Sequence, residues 1–149
     1  MKISISKALK IKNRIAGELA KIEELFKSSN CRREGDDSSI DPSLLYGEWE
    51  QSKNLLILIK QKIATASAGI QATLVELAEA KSAISFHEKI IINEGVAMDY
   101  STTVPRQIPW VNTITKSDQR YLINKINNNI ADLQDSVDEY NATTKIDWD

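Results

Sequence analysis

A chain of 149 residues, 42% hydrophobic and 27% charged, has the length of one ordinary domain and enough apolar side chains to fill a core. Its net charge of -2 supplies no attraction for a polyanion or an anionic bilayer, which sets nucleic acid and membrane aside as partners. The single cysteine, Cys31, excludes an intrachain disulfide and a multi-cysteine metal site, and a free thiol fits a reducing, cytoplasmic setting.

The opening stretch "MKISISKALKIKNRIAGELAK" is interrupted by lysines and an arginine, so it lacks the unbroken apolar run of a signal peptide, and no later window has the length of a membrane span. Ile5, Ala8, Ile15, Leu19, Ile22 and Phe26 fall on one stripe, with Lys12 the polar intruder. This predicts a helix over 5–28 with Ser4 or Ser6 as its N-cap. The polar stretch "SSNCRREGDDSSID" reads as a loop; its "GDDSSID" is acidic but lacks the internal glycine and closing glutamate of an EF-hand, so it is not assigned as a calcium site.

Asp41 and Pro42 mark the second helix, over 42–66, because a capping carboxylate precedes a residue that has no N–H to leave unsatisfied. Its seam is Leu45, Trp49, Ser52, Leu56, Ile59, Ile63, Ala66 and Ile70, widened by Leu44 and Leu55. The small residues of "ATASAG" are expected to make a tight turn between two antiparallel helices, in preference to one very long helix. A third helix is expected over 70–94, using Leu74, Leu77, Ile84 and Ile91, with Gly95 at its end.

Across 96–116, Pro105 and Pro109 exclude a helix interior while β-branched residues gather around Trp110, giving an extended crossover or a small β-hairpin. Trp110, between Ile108 and Val111, is expected to anchor that segment by burying its indole. Ser117 is read as the cap of a fourth helix over 118–141. Its apolar residues Ile123, Ile126, Ile130, Leu133, Val137 and Tyr140 alternate in steps of three and four.

Reactive groups are sparse. His87 is the only histidine, and Ile84 occupies the place where a Glu-x-x-His unit would need its glutamate. Asp132, Asp135 and Asp138 share a helix face with Glu139, which reads as solvated surface since a hard cation needs oxygens converging from several directions. No phosphate-cradling glycine loop or nucleophile elbow is found. These features assign no catalytic residue, metal site or cofactor and favour a non-enzymatic protein. The alternative is a small-molecule or metal-binding pocket, catalytic in one version, built from the third helix's carboxylates Glu76, Glu79 and Glu88, together with Glu94, His87 and the Trp110 crossover.

The order "IDPSLL", "LIKQKIATAS", "ATLVELAEAKSAI" and "LQDSVDEYNATTKIDW" resembles a small, all-helical bacterial family of unknown function, some of whose members are labelled septicolysin-like. The resemblance spans nearly the whole chain. It departs at Ala64, Thr65, Ala66 and Ser67, where the family tends toward Asn-x-Thr-Asn, and at Glu79, Ala80 and Lys81, near a common Arg-Asp pair. Asp147-Trp148 is close to the family's Asn-Trp. The resemblance implies a helical fold and carries over no catalytic residue. The cytolysin-like label is set aside because charge-interrupted helices are poor at entering lipid.

The expected fold is therefore all-α: an antiparallel bundle of about four helices with coiled-coil-like seams and one long non-helical crossover, within a single domain. The narrow seam of the fourth helix, which lacks a third apolar position per heptad, predicts a homo-oligomer, most simply a dimer, contacting through Ile123, Ile126, Ile130, Leu133 and Val137. The other candidate to cover that seam is the second helix of the same chain. Trp110 joins these residues as a candidate partner contact.

Overall fold

Ser4 closes an extended segment and opens a helix, its hydroxyl accepting from the Lys7 amide at 3.2 Å and so satisfying a first-turn donor that no helical carbonyl reaches. The computed structural model describes residues 1–35 and 39–148. Its elements are β1 (Lys2–Ser4), α1 (Ile5–Ser29), α2 (Pro42–Ala66), a 3-10 turn (Ser67–Ile70), α3 (Gln71–Glu88), β2 (Val96–Asp99), β3 (Arg106–Pro109), α4 (Lys116–Thr143) and β4 (Lys145–Asp147). The chain is mostly helical, as the sequence implies, with two small antiparallel sheets added. Asp36, Asp37 and Ser38 of the acidic stretch lie outside the described residues, as does Asp149.

The described residues group into two compact units. The first holds Met1–Gln71 and the chain from Val137 onward. Within it α1 and α2 run antiparallel: Trp49 Nε1 donates to Glu23 Oε1 at 3.0 Å, and the Tyr46 ring lies 5.5 Å from that of Phe26, so moving along α1 means moving back along α2. Asp41 caps α2 by accepting from the Ser43 amide at 2.9 Å, with Pro42 in the first turn. The buried cluster combines Ile5, Ala8 and Ile15 of α1, Leu56 and Ile59 of α2, and Ile3 and Ile146 of the strands. Each fully buried isoleucine in it contributes about 1.5–3 kcal/mol of transfer free energy.

The two isoleucines of the strands arrive there by register. Ile3 pairs with Ile146 in the antiparallel β1–β4 ribbon, and the period of two buries both while Lys2 and Asp147 stay exposed. Trp148 N–H to the Met1 carbonyl (2.7 Å) and Ile5 N–H to the Thr144 carbonyl (3.1 Å) extend the pairing at its two ends. Lys62 Nζ adds a 2.6 Å bond to the Asp147 carbonyl, tying β4 to α2.

The tight turn expected at "ATASAG" does not form. Ala66 (φ -68°, ψ -26°), Ser67 (φ -83°, ψ 0°) and Gln71 (φ -60°, ψ -40°) all keep right-handed helical backbone, and the 3-10 turn carries the chain from α2 into α3. Small residues there tighten the hydrogen bonding without supplying the left-handed residue that commonly ends a helix. Gly69 answers a different need, because a Cβ at that position would stand 2.7 Å from Tyr140 Oη. That hydroxyl donates to the Ala66 carbonyl at 2.8 Å.

Two further boundaries differ from the sequence reading. α3 stops at Glu88 rather than near Gly95, since the β-branched run Ile90, Ile91 and Ile92 resists helix and the chain leaves through hydrogen bonds donated by the Lys89 amide to the Phe86 carbonyl (3.1 Å) and by the Ile90 amide to the His87 carbonyl (3.3 Å). Gly95, at φ +79°, instead precedes β2. α4 is capped by Thr115, not Ser117: Thr115 Oγ1 accepts from the Asp118 amide and Asp118 Oδ2 accepts from the Thr115 amide, each at 3.1 Å. This is a reciprocal capping box with aspartate in the glutamate position.

Candidate functional site

The second unit, Ala72–Ser136, contains most of the residues singled out for contact or chemistry. The Gln119 amide donates to the His87 carbonyl at 2.6 Å, joining the start of α4 to the end of α3. Leu77 is the one buried hydrophobic residue of this unit. Ile123, Ile126, Ile130 and Leu133 are half-buried within a single chain, while Val137, at the beginning of the first unit's share of α4, is buried.

Between the helices stands a β-hairpin, the second of the two forms read for 96–116. Val96 pairs with Pro109, Ala97 with Ile108, Met98 with Gln107 and Asp99 with Arg106. Gly95 accepts from the Trp110 amide at 2.9 Å, and Asn112 Nδ2 donates to the Asn93 carbonyl at 2.6 Å, closing the base. At the tip, Asp99 accepts from the Ser101 amide at 2.9 Å, an Asx turn that starts the reversal. This amide, and after it the Ser101 side chain, holds the Asp99 carboxyl below its ordinary pKa. Pro109 sits at a non-bonded pair, where its missing N–H costs the ladder nothing and blunts the outer edge of β3.

The hairpin does not bury its apolar side chains. Trp110 is 49% exposed, which corrects the expectation of a docked indole: its amide is fixed by Gly95 while its ring lies half in solvent. Ile91 (85%) and Val111 (91%) flank the strands almost bare, and Val96, Met98 and Ile108 on them are exposed as well.

The reactive groups stay apart. His87 Nδ1 lies 2.7 Å from the Ala83 carbonyl, and since a carbonyl only accepts, the bond holds the ring proton on Nδ1. Glu76, Glu79 and Glu88 are exposed, and Glu94 pairs at 3.8 Å with Lys116. Among the described residues no three His, Cys, Asp or Glu side chains gather as a metal site. Asp132, Asp135, Asp138 and Glu139 are exposed along α4.

The first unit has a concavity that sequence reasoning missed, a hollow of about 390 Å³ lined by Glu23, Phe26, Lys27, Tyr46 and Trp49. The rings touch in a row, Tyr46 lying 5.5 Å from Phe26 and 5.4 Å from Trp49, and Lys53 Nζ sits 4.5 Å from the Trp49 ring. They make a wall and not an enclosure. The spacing of Phe26 on α1 and of Tyr46 and Trp49 on α2 carried that signal once the two helices were taken as antiparallel. No protein-family model, curated protein or solved structure matches the chain.

Proposed function

We propose that this is a non-enzymatic helical-bundle protein that works through protein contacts, first with other copies of itself, in the cytoplasm. The observation that carries the reading is the surface around β2 and β3. Eight of the exposed large apolar side chains fall between Ile91 and Val111, with Val96 and Met98 on one face of the hairpin and Ile108 on the other, and so much exposed apolar surface on one segment favours a contact role. In this reading the helices carry coiled-coil-like seams, and a second copy completes the half-covered seam from Ile123 to Leu133 alongside Trp110. The resemblance to the bacterial septicolysin-like family belongs to the same proposal, as does the location, which is supported by the free, exposed Cys31.

Light scattering coupled to size exclusion, at micromolar and lower concentrations, tests it. A dimer is expected, and a folded monomer throughout sinks the self-assembly. Val111→Asp should lower the mass with an unchanged far-UV spectrum, because a side chain 91% exposed in one copy adds little to that copy's own fold. Ile130→Asp should dissociate or unfold the protein, since its carboxylate would be desolvated without a partner.

A further inference from the structure

Leu55, Leu56, Ile57, Leu58 and Ile59 are five consecutive apolar residues in α2. A helix turns by about 100° per residue, so such a run cannot face one neighbour. Leu56 and Ile59 enter the buried cluster, while Leu55 and Leu58 remain 46% and 43% exposed. Followed in steps of three and four, those two lie on a stripe of their own with Leu44, Glu48, Gln51 and Lys62. Leu44 is 70% exposed. This is a second heptad seam, one position out of step with the seam of Leu45, Leu56 and Ile59.

The stripe has grooves to match its ridges. One, of about 430 Å³, is lined by Gln51, Asn54, Leu55 and Leu58; another, of about 490 Å³, begins at Leu58 and continues past Lys62 and Thr65. Leu58 is the ridge between them. Charge along the stripe itself is polarised as well: its one carboxylate, Glu48, lies in the first half of α2 and its one ammonium, Lys62, in the second, where it also donates to the Asp147 carbonyl of its own chain.

We infer that this face of α2 docks on the same face of a second copy of the chain, antiparallel about a two-fold axis. Antiparallel heptads pair each a position with a d position. Leu55 then meets Leu58 of the second copy, Gln51 meets its Lys62, and Glu48 stands one layer from that lysine. The parallel arrangement would set Glu48 on Glu48 and Lys62 on Lys62, so the charge pattern selects the antiparallel one. The inference shares with the proposed function the premise that the partner is another copy, and it places the contact on a different unit.

Cross-linking reads the geometry directly. With Cys31→Ser removing the exposed native thiol, chains carrying Leu55→Cys are mixed with chains carrying Leu58→Cys and oxidised. The expected product is a mixed covalent dimer, with far less from either chain alone. Homodimers forming as readily as mixed dimers, or no cross-link from a protein that scatters as an oligomer, overturn the assignment. Leu58→Glu should weaken association by about 30-fold or more, the factor for losing a central interface contact. If Leu58→Glu leaves the mass unchanged and Val111→Asp lowers it, the α2 face is wrong and the hairpin surface stands; the opposite pair of results keeps α2 and removes the hairpin. A folded wild-type monomer at every concentration overturns both.

Discussion

Gly69→Ala probes the junction between α2 and α3, where glycine would ordinarily count as a weak point. Its backbone is in the 3-10 turn and not at positive φ, so alanine is conformationally allowed and would stiffen the unfolded chain by about 0.4–1 kcal/mol in the protein's favour. The structure opposes this with one contact: the new methyl would sit 2.7 Å from Tyr140 Oη and 3.3 Å from Cζ. Moving the hydroxyl off the Ala66 carbonyl forfeits about 1 kcal/mol, and crowding a packed ring costs about 1–3 kcal/mol more. The net is a loss of about 2 kcal/mol. Urea unfolding followed by far-UV circular dichroism, with an unchanged m-value, measures it. In a Tyr140→Phe background the 2.7 Å contact disappears and the ring need yield only a few tenths of an ångström. There Gly69→Ala should fall within about 0.5 kcal/mol of neutral, giving a clear coupling energy in the double-mutant cycle. A neutral or stabilising Gly69→Ala in the wild-type background, or an equal cost in both, would refute the close-approach explanation.

Ile59→Ala, at a side chain 0% exposed in the centre of the cluster, should cost about 2–5 kcal/mol in the same unfolding assay. Trp110→Ala should cost about 2 kcal/mol, since only half of the indole leaves solvent; a loss above about 4 kcal/mol would mean that the ring is docked after all. The capping box gives a pH signature: hydrogen bonds from the Thr115 amide and then its hydroxyl lower the Asp118 pKa in the folded state, so its stabilisation is present above the ordinary aspartate range and lost as pH falls through the folded value. Asp118→Asn should flatten the acid limb of the stability curve, as followed by thermal melts between neutral and acidic pH, and an unaltered limb would remove the box from the account.

Helix starts were largely legible because a cap is a local event. Ser4, and Asp41 with Pro42, each act within three residues of their own position, and both helices begin where those side chains predict. The start of α4 was misread for an equally local reason: Asp118 fills the position where glutamate or glutamine is usual, which hid Thr115 behind Ser117. β1 and β4 could not be found locally at all. Three residues are too few for an alternating pattern to stand out, and Ile3 and Ile146 become a pair only when the two ends of the chain meet. Gly69 misled in the same way, since the reason for a bare Cα is the hydroxyl of Tyr140, supplied from far along the sequence.

Contact surfaces are harder still, because a heptad reports a period and never a partner. In α4 the steps of three and four that single out Ile123, Ile126 and Ile130 serve equally for a seam covered by its own chain and for one covered by another copy; their half-burial in a single chain lies between the two. In α2 two seams run one residue apart, so Leu44 and Leu55 look like the widened margin of the stripe through Leu45 and Leu56. Spacing cannot separate them. Burial can: Leu45 and Leu56 are enclosed, and their neighbours Leu44 and Leu55 are left out. An apolar margin that merely broadened the core contact would be drawn in with it, whereas one with its own heptad, its own groove and opposite charges at its two ends has the features of a face made for a second helix.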